Sequence, residues 1–322
     1  MKNKVFFLGA LVALGTSAFA KEVIAQPVIV EDTTKEVVVE PVAVVEETVP
    51  VYVENKLFTG VSIGQSLEID NTSGGKNIGE DVIFMNEVGL STQNWDYTVG
   101  AGNVFSSDTD DLYKDGTARM ELQAIRNFEN GFAGLKWRAQ DEYNRFYLRT
   151  GYDYGMFSGW MDAQYWAFNT SADQQDKMEL EIMPANITVG PVTLGYYLDY
   201  IKYSGDGNIQ SNGAIQEDSF DHQLRAYLPV YENEKLALGL EYRLGLHNSA
   251  KYKQDAAHRV YKDFEYNSLT LNANYAVTPA FNVFGYYRYD INNFESKGTG
   301  HATNLDDGKY YGEFQVGWNY TF

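Results

Sequence analysis

Apolar and polar residues alternate with a period of two along most of this chain. From Leu236 to Leu246, every even position is leucine or tyrosine, and the odd positions are Ala237, Gly239, Glu241, Arg243 and Gly245. The same alternation sets Ala118, Met120, Leu122 and Ala124 against Arg119, Glu121 and Gln123. It recurs at Val82, Phe84, Val88 and Leu90, and at Trp95, Tyr97, Val99 and Ala101. Successive side chains of an extended strand point to opposite faces, so each segment has one apolar and one polar face. The last strand follows the rule, with Phe314, Val316, Trp318, Tyr320 and Phe322 alternating with small or polar residues.

The pattern predicts about 14 strands, near 57–69, 80–91, 95–105, 118–128, 132–140, 145–154, 160–169, 178–189, 192–203, 220–230, 235–247, 264–277, 281–290 and 309–322. Their length is enough for a tilted strand to cross a bilayer. The connections alternate as well. Short ones fall at Thr92-Gln93-Asn94, Glu129-Asn130-Gly131, Gly155 to Gly159, Gly190-Pro191, Glu232-Asn233-Glu234 and Thr278-Pro279-Ala280. Longer polar loops, including 204–219, 248–263 and 291–308, fall on the other rim, where only Asp141 to Asn144 is short. Short turns on one rim, long loops on the other and an even strand count predict an all-β fold: a transmembrane antiparallel up-and-down β-barrel. The ends then share the short-turn rim, and 309–322 is expected to pair with 57–69. Pro184 cannot donate to a ladder and implies a bulge. Twelve or 16 strands and a soluble β-sandwich are the alternatives.

Composition agrees with alternation. Of the 322 residues, 15% are aromatic, yet mean hydropathy is only −0.37. No apolar run is long enough for a membrane-spanning helix. The absence of cysteine excludes disulfides and thiolate metal sites. A formal net charge of −19 argues against a nucleic-acid partner.

The N-terminus reads differently. Lys2 and Lys4 precede the apolar run VFFLGALVAL, and small residues Ala18 and Ala20 occupy the −3 and −1 places of a cleavage site, so 1–20 reads as a signal peptide. A short buried helix is the alternative. Residues 21–56 carry eight acids against three lysines, three of the seven prolines and no glycine. Self-repelling acids and recurrent proline predict a flexible, extended periplasmic tail, or a strand that adds to a partner's sheet edge. The barrel is expected over 57–322.

At this strand number a barrel encloses more space than its side chains fill, which predicts a water-filled passage. By parity its wall carries Arg119, Glu121, Lys136, Arg138, Arg145 and Arg149, then Asp153, Asp162, Glu179, Glu181 and Asp199, with Arg225, Glu241 and Arg243 further round. Basic and acidic residues on adjoining arcs would set a transverse field across the pore. Pairing between neighbouring strands is the alternative. Enzyme chemistry is not expected: Asp221 and His222 are adjacent and so face opposite ways, and His258 and His301 fall in predicted loops. No cofactor is expected, and Asp108-Thr109-Asp110-Asp111 falls short of a calcium loop because Leu112 stands at the next ligand place.

The chain resembles a Gram-negative outer-membrane porin, through the alternating C-terminal strand ending in Phe322, which resembles the signal read by the barrel-assembly machinery. The order of signal peptide, KEV, Val/Glu/Pro tail and barrel resembles the fusobacterial major outer membrane porin, FomA type. That resemblance implies passive diffusion of small hydrophilic solutes and ions through a bacterial outer membrane. It further implies contact with lipid and lipopolysaccharide, and often a homotrimer. A channel for acidic oligosaccharides and a surface adhesin built on a barrel are the alternatives.

Overall fold

The computed structural model describes residues 58–72, 81–106, 116–169, 175–205, 208–209, 215–253, 256–300 and 309–322. The expected signal peptide and acidic tail, the aspartates at 108–111 and His301 lie outside them.

Alternation produces one antiparallel sheet. Its strands are β1 (Gly60–Thr72), β2 (Asp81–Ser91), β3 (Trp95–Ser106), β4 (Gly116–Phe128), β5 (Gly131–Gln140), β6 (Tyr143–Asp153), β7 (Phe157–Phe168), β8 (Lys177–Val189) and β9 (Val192–Tyr203), the two-residue β10 (Asn208–Ile209), then β11 (Ile215–Glu232), β12 (Leu236–Tyr252), β13 (His258–Thr278), β14 (Phe281–Lys297) and β15 (Tyr310–Thr321). Each barrel strand pairs with the next, β9 pairs with β11 past the small β10, and β15 pairs with β1. Fourteen of the fifteen strands therefore form a closed antiparallel barrel. The seam runs from Ser62↔Thr321 to Thr72↔Tyr311, and the Phe322 amide donates to the Val61 carbonyl at 2.9 Å. The pairing expected between the first and last strands is present, so neither presents an unpaired edge.

Local chemistry sets the short-turn rim. Asn233 Oδ1 accepts from the amides of Lys235 and Leu236 at 2.8 and 2.7 Å, and Thr278 Oγ1 accepts from that of Phe281 at 3.0 Å. These side chains replace the backbone acceptors that the ladder loses at a turn. Gly155 and Gly190 turn with φ of 79° and 60°, a region that L side chains rarely adopt.

Several register shifts interrupt simple alternation, and three departures bear on the reading of the sequence. Pro184 sits in the expected bulge: β8 slips register against β9 between Ile182 and Ala185. Parity reverses there, so Glu179, Glu181 and Met183 share the inner face with Asn186 beyond it. Leu246 is a second bulge, because Gln223 pairs with Gly245 while His222 pairs with His247. The strict alternation read through Leu246 therefore ends at Gly245. The third departure is a correction. Much of 215–219, 248–263 and 291–297, read as loop, is strand, and His258 opens β13 rather than lying in a loop. These segments carry polar residues on both faces and lack a sustained apolar alternation, so periodicity does not mark them, yet cross-strand pairing carries them on. Above Gly245↔Tyr266 the β12–β13 pairing stops, and the upper parts of β12 and β13 continue against β11 and β14 respectively.

Burial runs opposite to that of a water-soluble protein. Leu122, Leu135, Phe146 and Leu148 are 42–64% exposed, whereas Glu121, Gln123, Lys136, Asp162 and Gln164 are under 10% exposed. The apolar face is outside and the polar face inside. Trp95, Phe128, Phe157, Tyr231, Tyr320 and Phe322 lie exposed near the short-turn rim, and Tyr165, Tyr200, Tyr289 and Tyr310 toward the other. These are two aromatic bands with aliphatic residues between them.

Candidate functional site: the polar inner wall

Each charged residue expected on the wall lies on the inner face of its strand, at the parity of the buried polar set. Asp153 sits at the rim, where its Oδ1 accepts from the Gly155 amide at 2.7 Å. The structure decides between segregated arcs and local pairing largely in favour of pairing. Glu121 on β4 takes three cations: Lys136 Nζ at 2.5 Å, Arg138 Nε at 2.6 Å and Arg119 Nε at 3.6 Å. Arg149 bridges strands, donating to Asp162 on β7 at 3.1 Å and to Gln123 on β4 at 2.7 Å. Arg145 Nε donates to Gln164 at 2.6 Å, and Gln164 donates to Glu181 at 2.6 Å. Tyr197 donates to Glu181 at 2.8 Å and lies 3.5 Å beneath the Arg225 guanidinium. Arg225 and Arg243 share Glu241, at 4.0 and 2.6 Å. Polar contacts thus run round the wall from β4 to β12.

Pairing leaves local surpluses. Around β4 and β5 three cations share one carboxylate. On β8, β9 and β11, Glu179, Glu181, Asp199 and Asp221 gather, with Lys177 and Arg145 at 3.3 and 3.7 Å from Glu179 as near cations. Asp199 Oδ1 and Asp221 Oδ1 are buried with no hydrogen-bond partner among the described residues.

A third group joins Glu313 and Gln315, whose odd positions on the last strand place them on the inner face, to Arg288, Asp290 and Glu68, which were not singled out from the sequence. Arg288 pairs with Glu313 at 2.9 Å and with Asp290 at 3.4 Å, and Glu68 accepts from Gln315 at 2.9 Å and from Tyr286 at 3.2 Å. Parity carried the signal for it, because Arg288 and Asp290 alternate with Tyr287, Tyr289 and Ile291. Inward tyrosines were also missed. Tyr147 is 7% exposed between Arg145 and Arg149 and lies 4.6 Å from the Arg145 guanidinium. It shares the parity of both arginines, so the same alternation places it inward.

One patch of the interior is apolar. Met183, wholly buried, packs with Tyr197, Tyr227 and Trp160 inside the barrel. Gly195 makes room for it: a Cβ there would lie 2.8 Å from Met183 Sδ and 2.2 Å from Asn186 Oδ1. His222 and His247 stand apart from the inner wall. His222 faces outward, with Nδ1 3.0 Å from the Tyr196 hydroxyl, while Asp221 faces inward. His247 meets Asp263 at 2.7 Å and His222 ring to ring at 5.9 Å.

No family model matches the chain, and no curated protein matches it. Among solved structures the chain is similar to an anion-selective porin from Comamonas acidovorans, at 12% identity over 82% of this chain and 99% of that one, with a TM-score of 0.41. It is similar to OmpT of Vibrio cholerae at 13% identity, 82% and 97% coverage and a TM-score of 0.40. For OprD of Pseudomonas aeruginosa the values are 12% identity, 82% and 94% coverage and a TM-score of 0.37. The closed barrel and its polar interior stand on the strand pairing and burial of this chain.

Proposed function

We propose that this chain is an outer-membrane porin, whose polar lumen passes small hydrophilic solutes and ions by passive diffusion. The observation that carries this reading is the reversed polarity of a closed barrel, with apolar residues outside and partnered charges inside. Hydrocarbon satisfies no backbone hydrogen bond, and a closed barrel satisfies all of its own. Water satisfies charged side chains, and the interior gathers them. Aromatic bands at both rims suit the two membrane–water interfaces. On this reading the N-terminal segment directs export, the outer face meets lipid and lipopolysaccharide, the C-terminal strand is read by the barrel-assembly machinery, and copies associate as a homotrimer.

A second reading, a channel selective for acidic oligosaccharides, draws on the cation surplus at β4 and β5 and on cations stacked over rings, such as Arg145 3.8 Å from the Trp166 ring centre. Planar-bilayer recording separates the two. The porin reading predicts stepwise ohmic conductance in KCl with weak ion preference, little affected by uronate oligomers. Strong block by those oligomers favours the selective channel. Inserted protein without conductance steps removes both.

A further inference from the structure

We propose that His222 and His247 form a binding site for a transition-metal dication of the Zn²⁺ type. The site lies on the outer face of the barrel, at the fork where β12 and β13 part. It stands off the polar passage and does not depend on the channel reading.

Two irregularities of the backbone build it. Arg243 and Gly245 face inward, and unbroken alternation would turn His247 inward too. The bulge at Leu246 reverses that parity and sets His247 directly opposite His222, which shares its outward face with Leu224 and Leu228. The second irregularity lies across the fork on β13. Between Tyr261↔Phe294 and Tyr266↔Asn292, residues 262–265 stand against Asn293 alone. Phe264 turns there with φ of 63°, a left-handed conformation that bulky side chains rarely adopt. This detour sets the Asp263 carboxylate 2.7 Å from His247 Nδ1. The Tyr261 hydroxyl spans the fork and donates to the His247 carbonyl at 3.0 Å. Bulges re-aim side chains, and backbone strain of this kind clusters at functional sites.

Both rings are prepared as ligands. A carboxylate only accepts, so Asp263 holds the His247 proton on Nδ1, and the neutral ring offers its Nε2 lone pair. The Tyr196 hydroxyl, 3.0 Å from His222 Nδ1, can orient the second ring in the same way. Two imidazoles on one Zn²⁺, with Zn–N near 2.0–2.1 Å, place their ring centres roughly 5–5.5 Å apart. The rings here are 5.9 Å apart and 74° from parallel, so a small turn of the half-exposed His247 suffices. No group of three metal-ligating side chains forms among the described residues, so water fills the remaining positions. Imidazole nitrogen suits Zn²⁺, Cu²⁺ and Ni²⁺, whereas Mg²⁺ and Ca²⁺ take oxygen. Water reaches the site. His222 stands ten residues from Glu232, the short-turn end of β11. At about 2.5 Å per residue that is roughly 25 Å, the full height of the apolar band. A metal there ties β11 to β12 and, through Asp263, to β13, where the β12–β13 ladder has ended.

Calorimetry on the full chain, refolded in detergent without an affinity tag, tests the site with Zn²⁺, Mg²⁺ and Ca²⁺ titrated separately. One Zn²⁺ per barrel is expected, at least about a hundredfold tighter than Mg²⁺ or Ca²⁺. His222→Ala and His247→Ala are each expected to weaken Zn²⁺ at least about tenfold. Asp263→Asn, which keeps the shape and removes the charge behind His247, is expected to weaken it about tenfold. His258→Ala is expected to leave it unchanged. Paramagnetic resonance of Cu²⁺ on the parent chain reads the ligands without any substitution, and coupling to two imidazole nitrogens is expected. Zn²⁺ binding that survives the loss of both His222 and His247 overturns the proposal. So does Ca²⁺ binding as tight as that of Zn²⁺, or a Cu²⁺ spectrum with fewer than two nitrogens.

Discussion

Glu121→Gln is expected to destabilise the barrel by about 3–5 kcal/mol, the range for removing one partner from a buried ion pair, and to shift the channel toward anions. The carboxylate lies among Lys136, Arg138 and Arg119, and all four side chains are 5–18% exposed. At that exposure bulk water does not screen them as it screens a surface pair. Glutamine keeps the shape and one acceptor, so Arg138 retains a hydrogen bond, now to an uncharged oxygen. What is lost is the negative charge that holds three cations together. Urea unfolding from lipid vesicles reads the stability. Reversal potential in a KCl gradient reads the selectivity, expected to move toward the chloride limit. The double variant Glu121→Gln with Lys136→Met removes one charge of each sign and should recover part of both effects. Unchanged stability and selectivity in the single variant would show that Glu121 does not organise this wall.

Leu122→Arg, one residue along, is expected to cost about 2–4 kcal/mol through an unrelated mechanism. Leu122 points outward and is 42% exposed. It stands six residues before Phe128, at the short-turn end of β4. A tilted strand climbs about 2.5 Å per residue, which places Leu122 roughly 15 Å up a band about 25 Å tall. An arginine there meets hydrocarbon near the midplane. The same residue type is native nearby on the inner face, as Arg119 and Arg138. The loss is therefore expected in lipid vesicles, measured by urea titration of folding, and smaller in detergent, where the guanidinium reaches water. A variant as stable in vesicles as the parent would contradict the outward assignment of β4.

These expectations draw on features of unequal visibility in the sequence. Strand number, turn placement and the β1–β15 seam follow from a period-two pattern that burial on one face enforces, so they are legible residue by residue. Pro184 advertised its bulge because it has no amide hydrogen. Leu246 did not, since a bulged leucine looks like any other apolar residue in register. The upper parts of β11 to β14 were hidden because they leave the zone where one face must be apolar. At the wall, parity located every charge that was named, but not its partners. That Glu121 gathers three cations depends on stagger between β4 and β5, a property of register rather than of either strand alone. Tyr143, Tyr147 and Trp166 share the inner face with arginines, where a ring stacks on a cation instead of meeting lipid.

The most direct measurement uses the absence of native cysteine. Single cysteines are placed at Gln123 and Leu122, adjacent residues assigned to opposite faces of β4, and each variant is recorded in a planar bilayer while a charged, membrane-impermeant thiol reagent is added. Reaction at Gln123→Cys is expected to lower single-channel conductance in discrete steps, and Leu122→Cys is expected to leave it unchanged. Block at Leu122→Cys with none at Gln123→Cys would contradict a polar, water-filled interior enclosed by an apolar barrel.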